Sequence, residues 1–352
     1  GGMRTMMAAR MYGAHDVRVA EIPKPSVSDG EILLQVKSAG ICGTDLRMIR
    51  NGYAGIGPDS PRTLGHEISG VIAEVGRSVR GYEAGMRVAV APNIGCGICD
   101  LCVQGDQHLC PDYRALGVQL DGGFAEYVVI PEAAVRFGNV APLPDRVTFD
   151  QAALIEPLSC VYNGILQCPI RLGDDVLVIG AGTIGIMYAL LAKRAGAGRV
   201  FLANRSAKRL ELARGIDDSL ILLEASKLKE SIPDLTAGRG VDVCVTANPS
   251  PESQRTAVEL TAMNGRINFF GGLPKTEENV EVNTNLIHYK QIVATGSTKA
   301  NNRHFRKTLQ FIANGIVDAD RLITGRYAVA DMEQAVAEAM SSEGIKTLIA
   351  FR

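Results

Sequence analysis

The chain has 352 residues, of which 46% are hydrophobic and 21% charged, and its formal net charge is −1. This length is typical of a two-domain protein, and the near-neutral charge disfavours nucleic acid and anionic membrane surfaces as partners. The eight cysteines do not accompany a charged start leading into an apolar stretch, so they indicate metal binding in the cytoplasm rather than secretion with disulfides.

Up to about residue 150, short β-branched runs alternate with Gly and Pro. Such runs predict strands, and the turn before residue 124 supports the last of them. The predicted strands are 32–37, 68–75, 87–90 and 124–130. This part of the chain is therefore predicted to be an irregular β-rich domain.

Side chains that can bind a metal lie in this domain and directly after it. The candidate residues are Cys42, Thr44, Asp45, His66, Glu67 and Glu156. A thiolate, an imidazole and a carboxylate can hold zinc and leave one position open for water or substrate. Each residue alone has a plainer explanation, as a small core cysteine or a loop glutamate. Their joint presence indicates a catalytic zinc site.

Four more cysteines follow within fifteen residues, at Cys96, Cys99, Cys102 and Cys110. Two Cys-x2-Cys steps share Cys99, and sulfurs at such spacings can surround one divalent ion. The alternative is a pair of disulfides or a reactive thiol cluster. The sequence also has no Lys or Arg between Cys96 and Cys110, which argues against a nucleic-acid-binding zinc module. It predicts a closed structural zinc site on a loop at residues 96–110.

From about residue 173, apolar strands alternate with helices. The predicted strands are 176–179, 199–203, 220–223, 241–245, 266–270 and 291–295, with helices at 183–195 and 207–214. Fully apolar strands in this alternation predict a parallel, doubly wound sheet. The uncharged stretch that begins this part is shorter than a membrane span and is broken by glycines. Helices at 302–314 and 331–341 and a strand at 347–351 complete the chain.

A glycine-rich turn follows the first of these strands and opens a helix. It contains Gly180, Gly182, Thr183, Ile184 and Gly185. In this context the first glycine makes the turn, the second lets the backbone approach a pyrophosphate, and the third lets the helix pack on the strand. The helix amino terminus then faces the diphosphate. The alternative is a tight turn without a ligand.

The residues that follow the predicted strand 199–203 indicate which of the two nicotinamide dinucleotides binds. They include Asn204, Arg205 and Arg209, with no carboxylate at the end of the strand. Ser206 can cap the next helix, and two guanidinium groups near its positive end suit a 2′-phosphate. The sequence therefore favours NADP over NAD. The alternative has both arginines on the surface and Asn204 bound to the ribose of NAD.

Taken together, these motifs resemble the zinc-dependent medium-chain dehydrogenase/reductase family, and within it the polyol (sorbitol-like) dehydrogenases. Glu156 points to the polyol branch, because simple alcohol dehydrogenases tend to have a cysteine there. The resemblance implies an α/β protein with a GroES-like β-rich catalytic domain at 1–156 and 298–352. A Rossmann domain at 157–297 would carry the doubly wound parallel sheet, with the active site in the cleft.

The resemblance also implies ligands and roles. The implied residues of the catalytic zinc are Cys42, His66, Glu67 and Glu156, the carboxylates acting directly or through water. Thr44 would pass the substrate proton on, and Asp45 would orient His66. The resemblance further implies two Zn²⁺ per chain and a small-molecule alcohol or ketone substrate. It also implies a homodimer or homotetramer joined through the edge strand 288–295.

Arg47 and Met48 depart from the family, whose polyol enzymes carry a histidine and an aromatic residue shortly after the cysteine motif. Arg47 and Arg50 could recognise a phosphate or carboxylate on the substrate, or they could be solvated on a helix face. Three other functions stay open at this stage. These are a general alcohol or aldehyde reductase, a threonine-type dehydrogenase, and a catalytically silent nucleotide-binding redox sensor.

Overall fold

The computed structural model describes residues 4–352. The chain divides into two compact units. Unit 1 runs to Ser159 and resumes at Ala300, and unit 2 is Cys160–Lys299. Within the described range, no helix has the length and apolarity that crossing a membrane requires.

The first part of the chain is mainly strand. Its strands are β1 Thr5–Gly13, β2 Asp16–Pro23, β3 Ile32–Gly40, β4 Arg62–Thr63, β5 Glu67–Val75, β6 Arg87–Val90, β7 Asn93–Ile94, β8 Arg114–Ala115, β9 Tyr127–Ile130 and β10 Val140–Pro142. Its helices are α1 Gly43–Asn51, α2 Asp100–Val103, α3 Glu132–Arg136, α4 Phe149–Ala152 and α5 Ile155–Gln167.

The second part alternates strand and helix. Its strands are β11 Asp175–Ile179, β12 Arg199–Asn204, β13 Ile221–Glu224, β14 Val241–Thr246, β15 Thr261–Phe269 and β16 Val293–Gly296. Its helices are α6 Thr183–Arg194, α7 Ala207–Ile216, α8 Leu228–Leu235, α9 Pro251–Leu260 and α10 Thr284–Lys290. The chain ends with α11 Asn302–Ala313, β17 Ile323–Tyr327, α12 Met332–Ser341 and β18 Lys346–Ala350.

Unit 1 is built on a sheet with the strand order β10-β6-β5-β3-β18-β17, to which β9 adds by pairing with β3. Alternate side chains of β3 and β5, such as Leu34, Val36 and Ile68, are buried in one apolar core. The C-terminal strand β18 pairs antiparallel with β3. This pairing matters for the site, because it brings the start of β18 beside Gly40 and so beside the start of β5.

Unit 2 contains a six-stranded parallel sheet with the order β13-β12-β11-β14-β15-β16. Every residue of β11 is buried, as expected for a strand covered on both faces. The order reverses after β11, and ligands of such sheets bind at the carboxyl ends of the strands beside this reversal. The predicted α/β class, with a β-rich part and a doubly wound parallel sheet, is confirmed.

One difference from the predicted elements lies at the edge of this sheet. Residues 288–290 belong to α10 and not to a strand, because Asn283 caps that helix through Asn285 N and the helix ends only at Gln291, which has a left-handed φ of 53°. The edge strand β16 therefore starts at Val293. Strand β15 starts five residues earlier than predicted, at Thr261.

Candidate active site and metal centres

The amino terminus of α1 positions the first candidate ligand. Cys42 precedes the helix as its cap residue, and Asp45 closes the cap by accepting a hydrogen bond from Cys42 N at 2.9 Å. Asp45 is fully buried, and its second oxygen lies 3.4 Å from Nδ1 of His66. One carboxylate thus fixes the backbone at Cys42 and faces the ring of His66.

Strand β5 brings the next two candidates into place. His66 directly precedes the strand and Glu67 begins it. Gly65 has a φ of 99°, and a Cβ there would lie 2.9 Å from the ring of Phe124. Only glycine suits this position, so the Gly-His-Glu motif has a backbone reason as well as a chemical one.

The side chains of Cys42, His66 and Glu67 meet at one point. One ligand atom of each lies within 4.8 Å of the other two. Glu156, in the first turn of α5, approaches with Oε2 at 4.0 Å from Nε2 of His66. Oε2 of Glu67 is buried with no hydrogen-bond partner. A thiolate, an imidazole and two carboxylates therefore lie close together, and one carboxylate oxygen among them is buried without a partner. This donor set fits a zinc ion with an open coordination position.

Electrostatics at His66 reflect the acidic groups around it. Burial lowers the pKa of His66, but the nearby groups Asp45 and Cys42 raise it by more, so that the net pKa lies well above its ordinary value. The acidic groups around His66 therefore favour a positive charge at this place. A divalent cation would supply that charge, with the imidazole neutral and the sulfur of Cys42 as a thiolate.

Lys346 is a member of the site that the sequence interpretation missed. Its Nζ donates to Oε1 of Glu67 at 2.8 Å and to the carbonyl of Ile41 at 2.9 Å. Both side chains of the ion pair are buried. Gly40 leaves room for the side chain of Glu67, since a Cβ on Gly40 would collide with Oε1 of Glu67. Burial lowers the pKa of Lys346, but the charges of Glu67, Cys42 and Glu156 and the hydrogen bond to Glu67 together more than offset this, so the net pKa is raised.

The cysteine lobe gathers its four sulfurs as its spacing predicts. The Sγ atoms of Cys96, Cys99, Cys102 and Cys110 lie within 4.8 Å of one another, and all eight cysteines of the chain are free thiols. Backbone N–H groups point at three of these sulfurs, among them Cys99 N to Cys96 Sγ and Cys102 N to Cys99 Sγ, both at 3.4 Å.

Hydrogen-bond donors and burial shift the pKa values of these thiols in opposite directions. Backbone N–H groups of Ile98 and Cys99 lower the pKa of Cys96 to about 7, whereas burial raises the pKa of Cys102 to about 12. Four adjacent thiolates need a cation between them, since their charges repel. The donor set therefore fits a structural zinc.

Replacing Cys99 by serine tests this site through stability. Bound structural zinc contributes folding free energy, so we expect the melting temperature of Cys99→Ser to fall by about 5 °C, which corresponds to ~2 kcal/mol in a domain of this size. Differential scanning calorimetry together with zinc analysis measures both changes. An unchanged melting temperature with unchanged zinc content would contradict the assignment.

The glycine turn has the geometry that a dinucleotide requires. Gly180 has a φ of 110°, and a Cβ on Gly185 would collide with the carbonyl of Gly180. A Cβ on Gly182 would meet no protein atom within 4 Å. The turn therefore packs tightly against the protein at Gly180 and Gly185. Its outer side is open at Gly182 and can bind a diphosphate in front of the first turn of α6, at Thr183 and Ile184.

The polar residues at the end of β12 and just after it have different environments. Oδ1 of Asn204 accepts from Ala181 N at 3.1 Å, and Nε of Arg209 donates to the carbonyl of Ala181 at 2.9 Å, so both hold the glycine turn. Arg209 is buried, and burial lowers its pKa. Arg205 is exposed. Ser206 occupies the cap position of α7, but its side chain makes no capping hydrogen bond.

Comparison with known proteins gives matches over nearly the whole chain. The family described as alcohol dehydrogenase GroES-like domain matches residues 28–145, and zinc-binding dehydrogenase matches residues 183–314. A sorbitol dehydrogenase of Bacillus subtilis (strain 168) is 31% identical over 98% of this chain and 97% of its own. An L-threonine 3-dehydrogenase of Streptomyces coelicolor is 34% identical over 94% of this chain and 95% of its own.

Solved structures agree with these sequence matches. A crystal structure of a zinc-binding dehydrogenase from Sinorhizobium meliloti 1021, bound to NADP, superposes with a TM-score of 0.89 and 28% identity. The match covers 99% of this chain and 100% of that one. Both units of the fold therefore have counterparts in one protein.

Proposed function

The chain belongs to the zinc-dependent alcohol dehydrogenase family, and from that premise we propose that it transfers hydride between a secondary alcohol of the polyol class and NADP. The observation that carries the proposal is the convergence of Cys42, His66 and Glu67 within 4.8 Å, with Glu156 beside them. A silent nucleotide-binding protein has no need of this donor set.

Zinc would supply a Lewis acid that lowers the pKa of the substrate hydroxyl, and the nicotinamide would accept the hydride. The ligands proposed to hold the metal are Cys42, His66, Glu67 and Glu156. Asp45 fixes the orientation of His66, because it lies against Nδ1 while its other oxygen is tied to the backbone. Lys346 balances the charge of Glu67.

Thr44 is the residue proposed to accept the proton of the substrate hydroxyl. Its Oγ1 accepts a hydrogen bond from Arg47 at 3.1 Å, so its own O–H is directed elsewhere and can take part in a proton relay. Arginine cannot accept a proton at ordinary pH. The relay therefore continues from Thr44 to a cofactor hydroxyl or to water and not through residue 47.

A second candidate function is threonine-type dehydrogenation, which the 34% identity to the Streptomyces coelicolor enzyme favours. Initial rates with a hexitol, a simple secondary alcohol and L-threonine separate the two. We expect turnover with the hexitol and little with L-threonine, because its ammonium group lies between the hydroxyl and the carboxylate and would face the positive charge of Arg47. Turnover of L-threonine alone would replace the polyol assignment, and no turnover with any alcohol would contradict both.

The proposed preference for NADP rests on Arg205. This exposed guanidinium follows β12 directly, no carboxylate stands at the end of that strand, and Arg209 stabilises the turn from beneath. We expect Arg205→Gln to lower kcat/KM for NADP⁺ by about 10-fold and to leave kcat/KM for NAD⁺ nearly unchanged. Equal losses with both cofactors would show that Arg205 does not read a 2′-phosphate.

We further propose two zinc ions per chain and a homodimer or homotetramer acting in the cytoplasm. Two separate donor sets support the zinc count. Strand β16 ends its sheet with one side unpaired, and Met263, Tyr289 and Val293 are exposed in unit 2. An edge strand with exposed apolar side chains favours pairing with a second copy. Four clustered thiols used as metal ligands favour a reducing compartment.

A further inference from the structure

Arg47 is an exposed cation without an acidic partner. Some other exposed arginines of unit 1 have one, such as Arg18 with Asp16 and Arg77 with Asp29. Throughout residues 4–352, Arg47 forms no ion pair, and its hydrogen bond to Thr44 is its one polar side-chain contact. Its charge is therefore not used in holding the fold together.

The guanidinium lies beside the proposed reaction centre. Its Nη2 donates to Oγ1 of Thr44 at 3.1 Å, and its Nη1 would lie 3.8 Å from a Cβ on Gly43, the residue after Cys42. The side chain thus folds back over the first turn of α1, in the direction that helical side chains normally take. Arg50, on the same helix and also exposed, makes no such contact.

Most of the hydrogen-bonding capacity of Arg47 is unused. A guanidinium carries five N–H donors in a planar fork, and that fork matches the two oxygens of a carboxylate or of a phosphate. One donor is spent on Thr44. The others, with the full positive charge, are available to a ligand that enters the site.

We propose that Arg47 forms an anion subsite, so that the enzyme prefers secondary alcohols carrying a carboxylate or a phosphate over neutral polyols of the same length. This rests on the proposed function, because Thr44 then touches the reacting hydroxyl. Two successive hydrogen bonds place the nearest guanidinium nitrogen within about 6 Å of the reacting oxygen. An anionic group one or two carbons from the reacting carbon lies within reach of the fork.

Selectivity ratios test the proposal. The zinc-loaded enzyme is assayed with a hexitol, the aldonate of the same chain and the hexitol phosphate, and kcat/KM of each anion is divided by that of the hexitol. We expect Arg47→Gln to lower this ratio by about 10-fold to 100-fold for at least one anion. Any loss that Arg47→Gln causes through Thr44 affects both substrates and cancels in the ratio. Arg47→Lys should restore part of the ratio, and Arg50→Gln should not change it.

The two anions separate the possible sources of the negative charge. A ratio that falls only for the aldonate identifies a carboxylate subsite, and one that falls only for the phosphate identifies a phosphate subsite. Unchanged ratios in Arg47→Gln, or ratios that fall equally in Arg50→Gln, overturn the proposal. A rise in KM for NADP⁺ with unchanged ratios also overturns it, because Arg47 would then bind a phosphate of the cofactor.

Equilibrium titration of the zinc-loaded protein with the aldonate and with the hexitol phosphate gives a readout without turnover. We expect at least one dissociation constant to rise by about 10-fold in Arg47→Gln and neither to change in Arg50→Gln. If no alcohol is oxidised but this difference is found, the proposed function fails and the anion subsite stands. If alcohols are oxidised and neither dissociation constant changes, the subsite alone fails.

Discussion

Cys42→Ser is expected to lower kcat by about 10³-fold or more with every alcohol substrate. Serine offers a hydroxyl of high pKa in place of a thiolate, and a neutral hydroxyl is a poor zinc ligand. His66→Ala should act in the same way, since His66 faces Cys42 and Glu67 across the same small volume. Steady-state rates with excess zinc measure the loss.

The control for this prediction is dinucleotide binding. The glycine turn lies in unit 2 and Cys42 in unit 1, so the dissociation constant for NADP should change less than threefold in Cys42→Ser. Cys168→Ala removes a buried thiol of unit 2 that belongs to neither metal cluster and should retain turnover. Near-wild-type rates in Cys42→Ser would refute the catalytic zinc assignment.

Lys346→Met is expected to give the largest loss of stability. Lys346 and Glu67 form an ion pair at 2.8 Å in which both side chains are at most 3% exposed. Methionine fills a similar volume but leaves the carboxylate of Glu67 buried beside an unpaired carbonyl of Ile41. Breaking a buried pair from one side costs ~3–5 kcal/mol, which corresponds to a melting temperature lower by roughly 10 °C.

The pH dependence of this loss follows from the raised pKa of Lys346. A folded-state pKa above the unfolded value means that the stabilisation is complete below the ordinary lysine pKa of about 10.4. It is lost only as the pH rises through the higher folded-state value. The difference in melting temperature between wild type and Lys346→Met should therefore stay constant between about pH 6 and 9 and narrow above about pH 10.5.

Lys229→Met provides the matched control. Lys229 pairs with Glu259 at 3.2 Å, but both side chains are exposed, and such surface pairs contribute only ~0–1 kcal/mol. The double variant Lys346→Met/Glu67→Gln should recover part of the lost stability, because the unpaired charge is removed. Equal melting temperatures for Lys346→Met and Lys229→Met would contradict the buried-pair account.

Local motifs made much of the fold and site predictable. The apolar strand before Gly180 and the helix after it require a glycine turn, because Gly185 packs against the carbonyl of Gly180. The four cysteines at 96–110 were recognisable from their spacing, and like the glycine turn they lie close together in the chain. The other candidate ligands lie between positions 42 and 156 and were recognisable through their donor types and the family resemblance.

What the sequence could not predict depends on contacts between distant residues. Lys346 and Glu67 are 279 positions apart, and the pairing of β18 with β3 and of β3 with β5 brings them together. A lysine before an apolar strand carries no sign of its partner. Similarly, nothing in the charge of Arg209 indicates that it is buried against Ala181. The paired strands β1 and β2 were also missed, although polar and apolar residues alternate in β2.

The central claim is that alcohol oxidation depends on a zinc ion bound at Cys42 and not on the ion of the cysteine lobe. Titrating zinc into the metal-free enzyme while following kcat tests it most directly, with Cys42→Ser and Cys99→Ser as references for each site. Wild type should take up two equivalents and gain turnover with the one that Cys42→Ser fails to bind. Full turnover in wild type with zinc in the four-cysteine site alone would contradict the account.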